Sequence, residues 1–175
     1  MPSVIARDET GVELRRDLRT GDAEAIVDLH ERLYTAEYGM GRAFIEGVRG
    51  SVAKAVESGW PIGGGAWLVD SDAGLAGCLG LTSEGDGLGR LRWVLLHPSL
   101  RGLGLGRRMI EEAVAEARRL GLRRLELDTF GALRSAAAIY RGAGFRVVSE
   151  EKTEMWGPPI LFQHYVLELG EPDAG

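Results

Sequence analysis

One cysteine and three histidines are the only thiol and imidazole groups in this 175-residue sequence. A single thiol permits no disulfide within the chain and no cysteine cluster around a metal, which suits a reducing compartment. Cys78 lies in the apolar run "LAGCLGL" and reads as a packed thiol rather than a nucleophile. His30, His97 and His164 show no metal-ligand spacing, so no metal site is expected. No run of about 18 apolar residues exists to span a bilayer. The opening "MPSVIARDET" lacks the apolar core of a secretion signal, and a cytoplasmic protein without membrane attachment is expected. Basic charge is also lacking: the formal net charge is -5 and the pI is near 5.3. That disfavours a nucleic-acid partner and tolerates an amine-bearing one. Neither an internal repeat nor a low-complexity linker breaks the chain. With 45% hydrophobic and 27% charged residues it has the balance of a soluble globular protein. We expect one domain over residues 1–175, with a core from about 12 to 169 and frayed ends.

Periodicity predicts the elements. "GVELRRDL" alternates as a half-buried strand does. A helix follows, with Asp22 as expected N-cap and Ala25, Ile26, Leu29 and Leu33 at helical spacing. A second helix is expected from Arg42 to Glu57, with Gly50 inside it. "AWLVDSDAGLAGCLGLTSE" reads as a hairpin, and "RLRWVLL" as a strand ended by Pro98. A helix from about Gly104 to Leu120, closed by Gly121, leads to the strand "RRLELDTF". A short helix "LRSAAAIYRGAG" and the strands "FRVVSEE" and "FQHYVLEL" complete the chain. Strand, two helices, three strands, helix, strand, helix and two strands make a mixed α/β layered fold, not a regular βαβ array.

Gly102, Gly104 and Gly106 alternate at the one point where a strand gives way to a long helix. A helix N-terminus presents unpaired N–H groups and partial positive charge, and glycine lets an anion approach them. Arg101, Arg107 and Arg108 add guanidinium groups suited to phosphate oxygens. The pattern points to a pyrophosphate. A nicotinamide-binding oxidoreductase would place G-x-G-x-x-G in the first βα turn, and a Walker loop would carry Lys-Ser/Thr; neither is present.

"RGLGLG" at 101–106, preceded by "HP", resembles the R/Q-x-x-G-x-G/A loop of the GNAT superfamily of N-acetyltransferases. "AAAIYRGAGF" at 136–145 is similar to that family's second signature, a helix ending Tyr-x-x-x-Gly-Phe. The likeness extends over about residues 12–169. It is strongest toward the acetyltransferase half of bacterial MarR–GNAT fusion proteins, which share "LRWVLLHPSLRGLGLGRR" and a late "WG".

The resemblance implies a mostly antiparallel central sheet of about seven strands flanked by about four helices. It implies acetyl-CoA as acyl donor, with Arg101, Gly102, Leu103, Gly104, Leu105, Gly106 and Arg107 at its pyrophosphate and Val94, Leu95 and Leu96 along its pantetheine arm. Tyr140 would donate a proton to the departing thiolate. The strand "RLRWVLL" has no carboxylate to serve as base, which leaves Asp128 and Glu84 as candidates. Leu133 stands where many relatives carry a cofactor-contacting Asn, a trait of the fused subgroup. The acceptor site is expected between the first two helices and the final strands, with "YTAEYGMGRAF", residues 34–44, as its lid and Glu37, Tyr38 and Phe44 as wall residues. Direct transfer to a small-molecule or peptide amine follows; a homodimer is common among such folds, though the residues themselves are silent on oligomeric state. The alternative is an acyl-CoA-binding module that senses without turnover.

Overall fold

Alternating apolar residues along seven of the expected segments build one continuous sheet, and an eighth strand joins it at the edge. The computed structural model describes residues 4–7, 11–131 and 133–170. In chain order the elements are β1 (Val4–Arg7), β2 (Glu13–Arg15), α1 (Asp22–Tyr38), α2 (Arg42–Glu57), β3 (Gly65–Ser71), β4 (Gly74–Gly85) and β5 (Leu88–Leu96). A 3-10 turn (Pro98–Leu100) leads to α3 (Leu105–Arg119), β6 (Arg124–Phe130), α4 (Arg134–Gly142), β7 (Arg146–Thr153) and β8 (Ile160–Glu168). The sheet order is β1-β2-β3-β4-β5-β6-β8-β7, and only β5 and β6 pair in parallel. β1 falls in a stretch expected to fray; its backbone instead pairs antiparallel with β2. The rest of the expected frayed ends lies outside the described residues.

The central strands are covered on both faces. Along β3, Trp67 and Val69 enter one core while Ala66 and Leu68 enter the other. The first core holds the stripe Met109, Ile110, Ala113 and Ala117 of α3 with Leu125, Leu127 and Tyr165. That i, i+1, i+4, i+8 spacing is what a helix lying on a sheet requires, and each large side chain so buried stabilises by roughly 1.5–3 kcal/mol. The second core packs Ile26, Leu29, Val48 and Val52 of α1 and α2 on Leu68, Cys78 and Leu95.

Asp22 does not cap α1. Gly21 holds the cap position in the left-handed region at φ 90°, and the Asp22 carboxylate receives Arg15 at 2.8 Å through two nitrogens. Arg15, only 3% exposed, also donates to Asp70 at 2.6 Å, so β2, β3 and α1 meet at one buried charge cluster. Burial alone would raise the Asp22 carboxyl; donors from Arg15 and the Arg19 amide outweigh it and hold it low.

Parallel pairing of β5 with β6 ends at Arg90↔Glu126, whereas β5 stays paired with β4 as far as Leu96. The two strands therefore part, leaving one edge of residues 91–96 without a ladder partner. A bulge lies on the same stretch: the register shifts between Cys78 and Gly80, and Trp93 adopts φ 53°. Among the described residues no helix is long and apolar enough to cross a membrane.

Candidate active site

The glycine loop presents a row of bare donors. Arg101 N–H donates to Pro98, and the next backbone donor with a partner is Arg108, which reaches Gly104. Among the described residues, the N–H groups of residues 102 to 107 make no hydrogen bond. Gly102 and Gly104 sit in the left-handed region at φ 81° and 82°, which glycine adopts without strain, and a Cβ on either would meet nothing within 4 Å. Left-handed residues within such a run aim successive amides toward a common point, a geometry that receives anions. Gly106 answers to packing instead. It lies in the first turn of α3, where a Cβ would stand 3.1 Å from Ile139 of α4.

Where β5 and β6 part, a cavity of about 330 Å³ opens. Val94 of β5, Asp128 of β6 and Tyr140 of α4 line it, with α1 and α2 above. His97 N–H donates to Ala76 on β4, so strand alternation turns the backbone of Leu96 and Val94 to the unpaired edge and that of Leu95 to β4. Leu95 is 8% exposed and packs in the α1/α2 core. Val94 and Leu96 are half-buried against the other core. Tyr140 is 3% exposed, held between Phe145 and Tyr165 at ring separations of 6.1 and 5.6 Å. Its hydroxyl makes no hydrogen bond among the described residues, and burial, with a lesser push from Tyr165, raises it well above the tyrosine range. It stays protonated at neutral pH.

The walls are aromatic. Tyr34, Phe44, Phe130, Trp156 and Phe162 face the cavity, and the Gly41 amide donates to Trp156 O at 2.8 Å, fixing the α1–α2 connection to the segment before β8. Charged groups gather at the point of divergence. Arg90 donates to Asp128 at 2.9 Å and to Glu126 at 3.3 Å, and His164 Nδ1 lies 2.6 Å from the other Asp128 oxygen. Arg92 donates to Glu84 at 2.5 Å and to Thr82 at 3.0 Å.

Several expected residues thus come together: Val94, Phe44, Asp128 and Tyr140 share the cavity, and the loop abuts α4 one residue from Tyr140. Others do not. Both terminal nitrogens of Arg101 lie 3.0 Å from Glu37 oxygens, and its Nε donates to Leu96 O, so its guanidinium ties the loop to the end of α1. Glu37 is engaged there rather than in the cavity wall, and Tyr38 leans on Tyr34 outside it. Leu103 is 56% exposed, and Arg107 is exposed without an ion pair among the described residues. Glu84 lines a separate cavity beside Lys54 and Trp60. Cys78 is buried, donating to Trp93 O, and burial raises its thiol. His97 accepts from the Ser99 amide as a turn cap. His30, Phe130 and Phe162 line the cavity without a local signal in the sequence, whereas Tyr34 opens the expected lid and Trp156 belongs to the late "WG". Among the described residues no group of three or more His, Cys, Asp or Glu side chains could hold a metal.

The same fold occurs in solved acetyltransferases. A phosphinothricin acetyltransferase from Sinorhizobium meliloti, in complex with acetyl-CoA, superposes with TM-score 0.69 at 19% identity, covering 94% of this chain and 92% of its own. YncA from Salmonella typhimurium, solved with its cofactor acetyl-CoA, gives TM-score 0.70 at 19% identity, covering 94% and 99%. At these identities the likeness is one of fold. In sequence, the uncharacterized N-acetyltransferase YjgM of Escherichia coli (strain K12) is 30% identical over 82 residues, 45% of this chain and 49% of that protein. The chain spans about half the length of this curated relative in that match. The profile described as the Acetyltransferase (GNAT) family matches residues 24–145, well over half the sequence, and the chain belongs to that family.

Proposed function

We propose that this acetyltransferase moves the acetyl group of acetyl-CoA directly onto an amine. The observation that carries the reading is the row of bare amides at residues 102 to 107 beside the unpaired edge of β5. Six donors without acceptors would be costly if they were permanently dry, and a diphosphate supplies the acceptors they need. Arg107 adds charge without having to break an ion pair, whereas Arg101 must share its guanidinium with Glu37. The open space above Gly102 and Gly104 fits such a ligand, since a side chain there would fill it. Backbone groups of Val94 and Leu96 would pair with the amides of the donor's arm as a further strand does. The Val94 N–H would then face the acyl oxygen and stabilise charge as it develops there.

Tyr140, kept protonated by burial, is the acid that protonates the leaving thiolate. Asp128 is the one carboxylate among the described residues that lines the cavity, and it would accept the amine proton directly or through water. A buried thiol bonded to a carbonyl is a poor nucleophile, which supports transfer without an acyl-enzyme. Placement beside the MarR-fused acetyltransferases rests on the shared run at 91–108, and a cytoplasmic site on the single cysteine.

The test combines calorimetry of acetyl-CoA binding with thiol release on a panel of amines. Binding with turnover on at least one amine supports the reading. Binding without turnover on any amine turns it into a sensing module, and no binding removes it.

A further inference from the structure

His30 is a hydrogen-bonding group for which neither the fold nor the transfer chemistry accounts. It is 3% exposed, lies on α1 one turn before Tyr34, and stacks on that ring at 5.6 Å with planes 3° apart. Nδ1 stands 2.7 Å from Ile26 O. A carbonyl can only accept, so Nδ1 carries the proton and Nε2 is left as a bare acceptor. Among the described residues Nε2 has no partner, and His30 lines the 330 Å³ cavity. Burial pulls the imidazole down to about 4, which keeps it neutral at working pH. The cavity therefore carries an uncharged acceptor on its α1 wall, set among aromatic rings.

The two cations lining the same cavity are already paired: Arg90 is held by Glu126 and Asp128, and Arg92 by Glu84. Among the described residues, no unpaired cation lines this cavity to receive a carboxylate. An anionic substrate would lose its hydration and gain nothing in return. A protonated amine finds the opposite: the Asp128 carboxylate, shared with Arg90 and His164, and the faces of Tyr34, Phe44 and Trp156.

We propose that the acceptor is an arylalkylamine without a carboxylate, and that His30 Nε2 selects for a hydrogen-bond donor on its ring, such as a phenolic hydroxyl. A cavity of this volume suits one ring and a short chain, at the small end of ligand sites. The proposal rests on the acetyl-transfer reading and narrows it.

Initial thiol-release rates with saturating acetyl-CoA test it, using tyramine, phenethylamine, tyrosine, spermidine and a short peptide. The expected kcat/KM for tyramine exceeds that for phenethylamine by about tenfold, the effect of one hydrogen bond to a buried acceptor. Tyrosine falls below tyramine by about tenfold or more, for the desolvated carboxylate. In His30→Phe, which keeps the ring and its stacking, the tyramine-to-phenethylamine ratio falls to near one. Equal use of tyramine and phenethylamine by the native protein overturns the proposal. So does a tyramine preference that survives in His30→Phe, or a preference for tyrosine. The native ratio decides even if the variant does not fold. Turnover confined to spermidine or the peptide sinks this proposal and leaves acetyl transfer standing; acetyl-CoA binding with no turnover at all counts against both.

Discussion

Tyr140→Phe separates structure from chemistry because the hydroxyl it removes holds nothing in place. The ring lies between Phe145 and Tyr165, and phenylalanine keeps both contacts. The hydroxyl has no hydrogen-bond partner among the described residues, so its loss breaks no bond and orphans no neighbour. Stability should stay within about 0.5 kcal/mol, a shift in Tm of no more than about 2 °C for a chain this long. Catalysis should respond very differently. A positioned general acid contributes about a hundredfold to ten-thousandfold, and a hundredfold loss in kcat corresponds to about 2.7 kcal/mol of barrier. Acetyl-CoA affinity should move by less than about twofold, since the loop amides and not the phenol hold the diphosphate. Thermal denaturation, calorimetry and thiol release on the same preparation measure all three. A kcat within about threefold of the native value would remove Tyr140 from proton transfer. A stability loss above about 2 kcal/mol would show that the hydroxyl is structural after all.

The other predictions concern charge and burial. Arg107→Gln should raise the acetyl-CoA Kd about tenfold, the effect of one charge-assisted hydrogen bond, and the difference should shrink at high salt; an unchanged Kd by calorimetry refutes it. Arg15→Met leaves Asp22 and Asp70 facing each other without their cation and should lower unfolding stability by about 3–5 kcal/mol. Urea unfolding checks this: Asp22→Asn in the same chain should restore part of the loss, and a loss below about 1 kcal/mol would contradict it. His30 is depressed in the folded state from 6.5 to about 4, so the unfolded chain takes up a proton first as pH falls. Its contribution, about 3 kcal/mol, is complete above pH 6.5 and is lost as pH drops through about 4. His30→Phe should therefore be less sensitive than the native protein between those values in urea melts taken at stepped pH; parallel curves would refute the assignment.

What could be read from the residues follows how local each signal is. The strand-to-helix turn at 101–106 is written in alternate glycines, and α2 keeps its expected bounds because Phe44, Ile45, Val48 and Val52 outweigh Gly50. The bulge at Trp93 leaves no such trace. "RLRWVLL" reads as an ordinary strand, and the left-handed Trp93 inside it lies where the pairing with β4 shifts register and β6 has already departed. Glu37 and Arg101 are 64 residues apart, and Asp128 and His164 are 36 apart. Such pairings arise from packing α1 over the loop and from the β6–β8 register, which no local pattern encodes. Asp22 resembled a cap because Asp often caps; only the fold shows Arg15 competing for it. Gly102 and Gly104 also show why a glycine variant is a poor probe of this loop. At φ 81° and 82° any side chain strains the backbone, so lost binding would not isolate the ligand's contacts.

The most direct test is an amide-resolved NMR titration of the native chain with coenzyme A. Downfield shifts concentrated on residues 102 to 107, saturating with the calorimetric Kd, are the predicted result. Saturation with those six amides unmoved would contradict the claim that they grip the diphosphate.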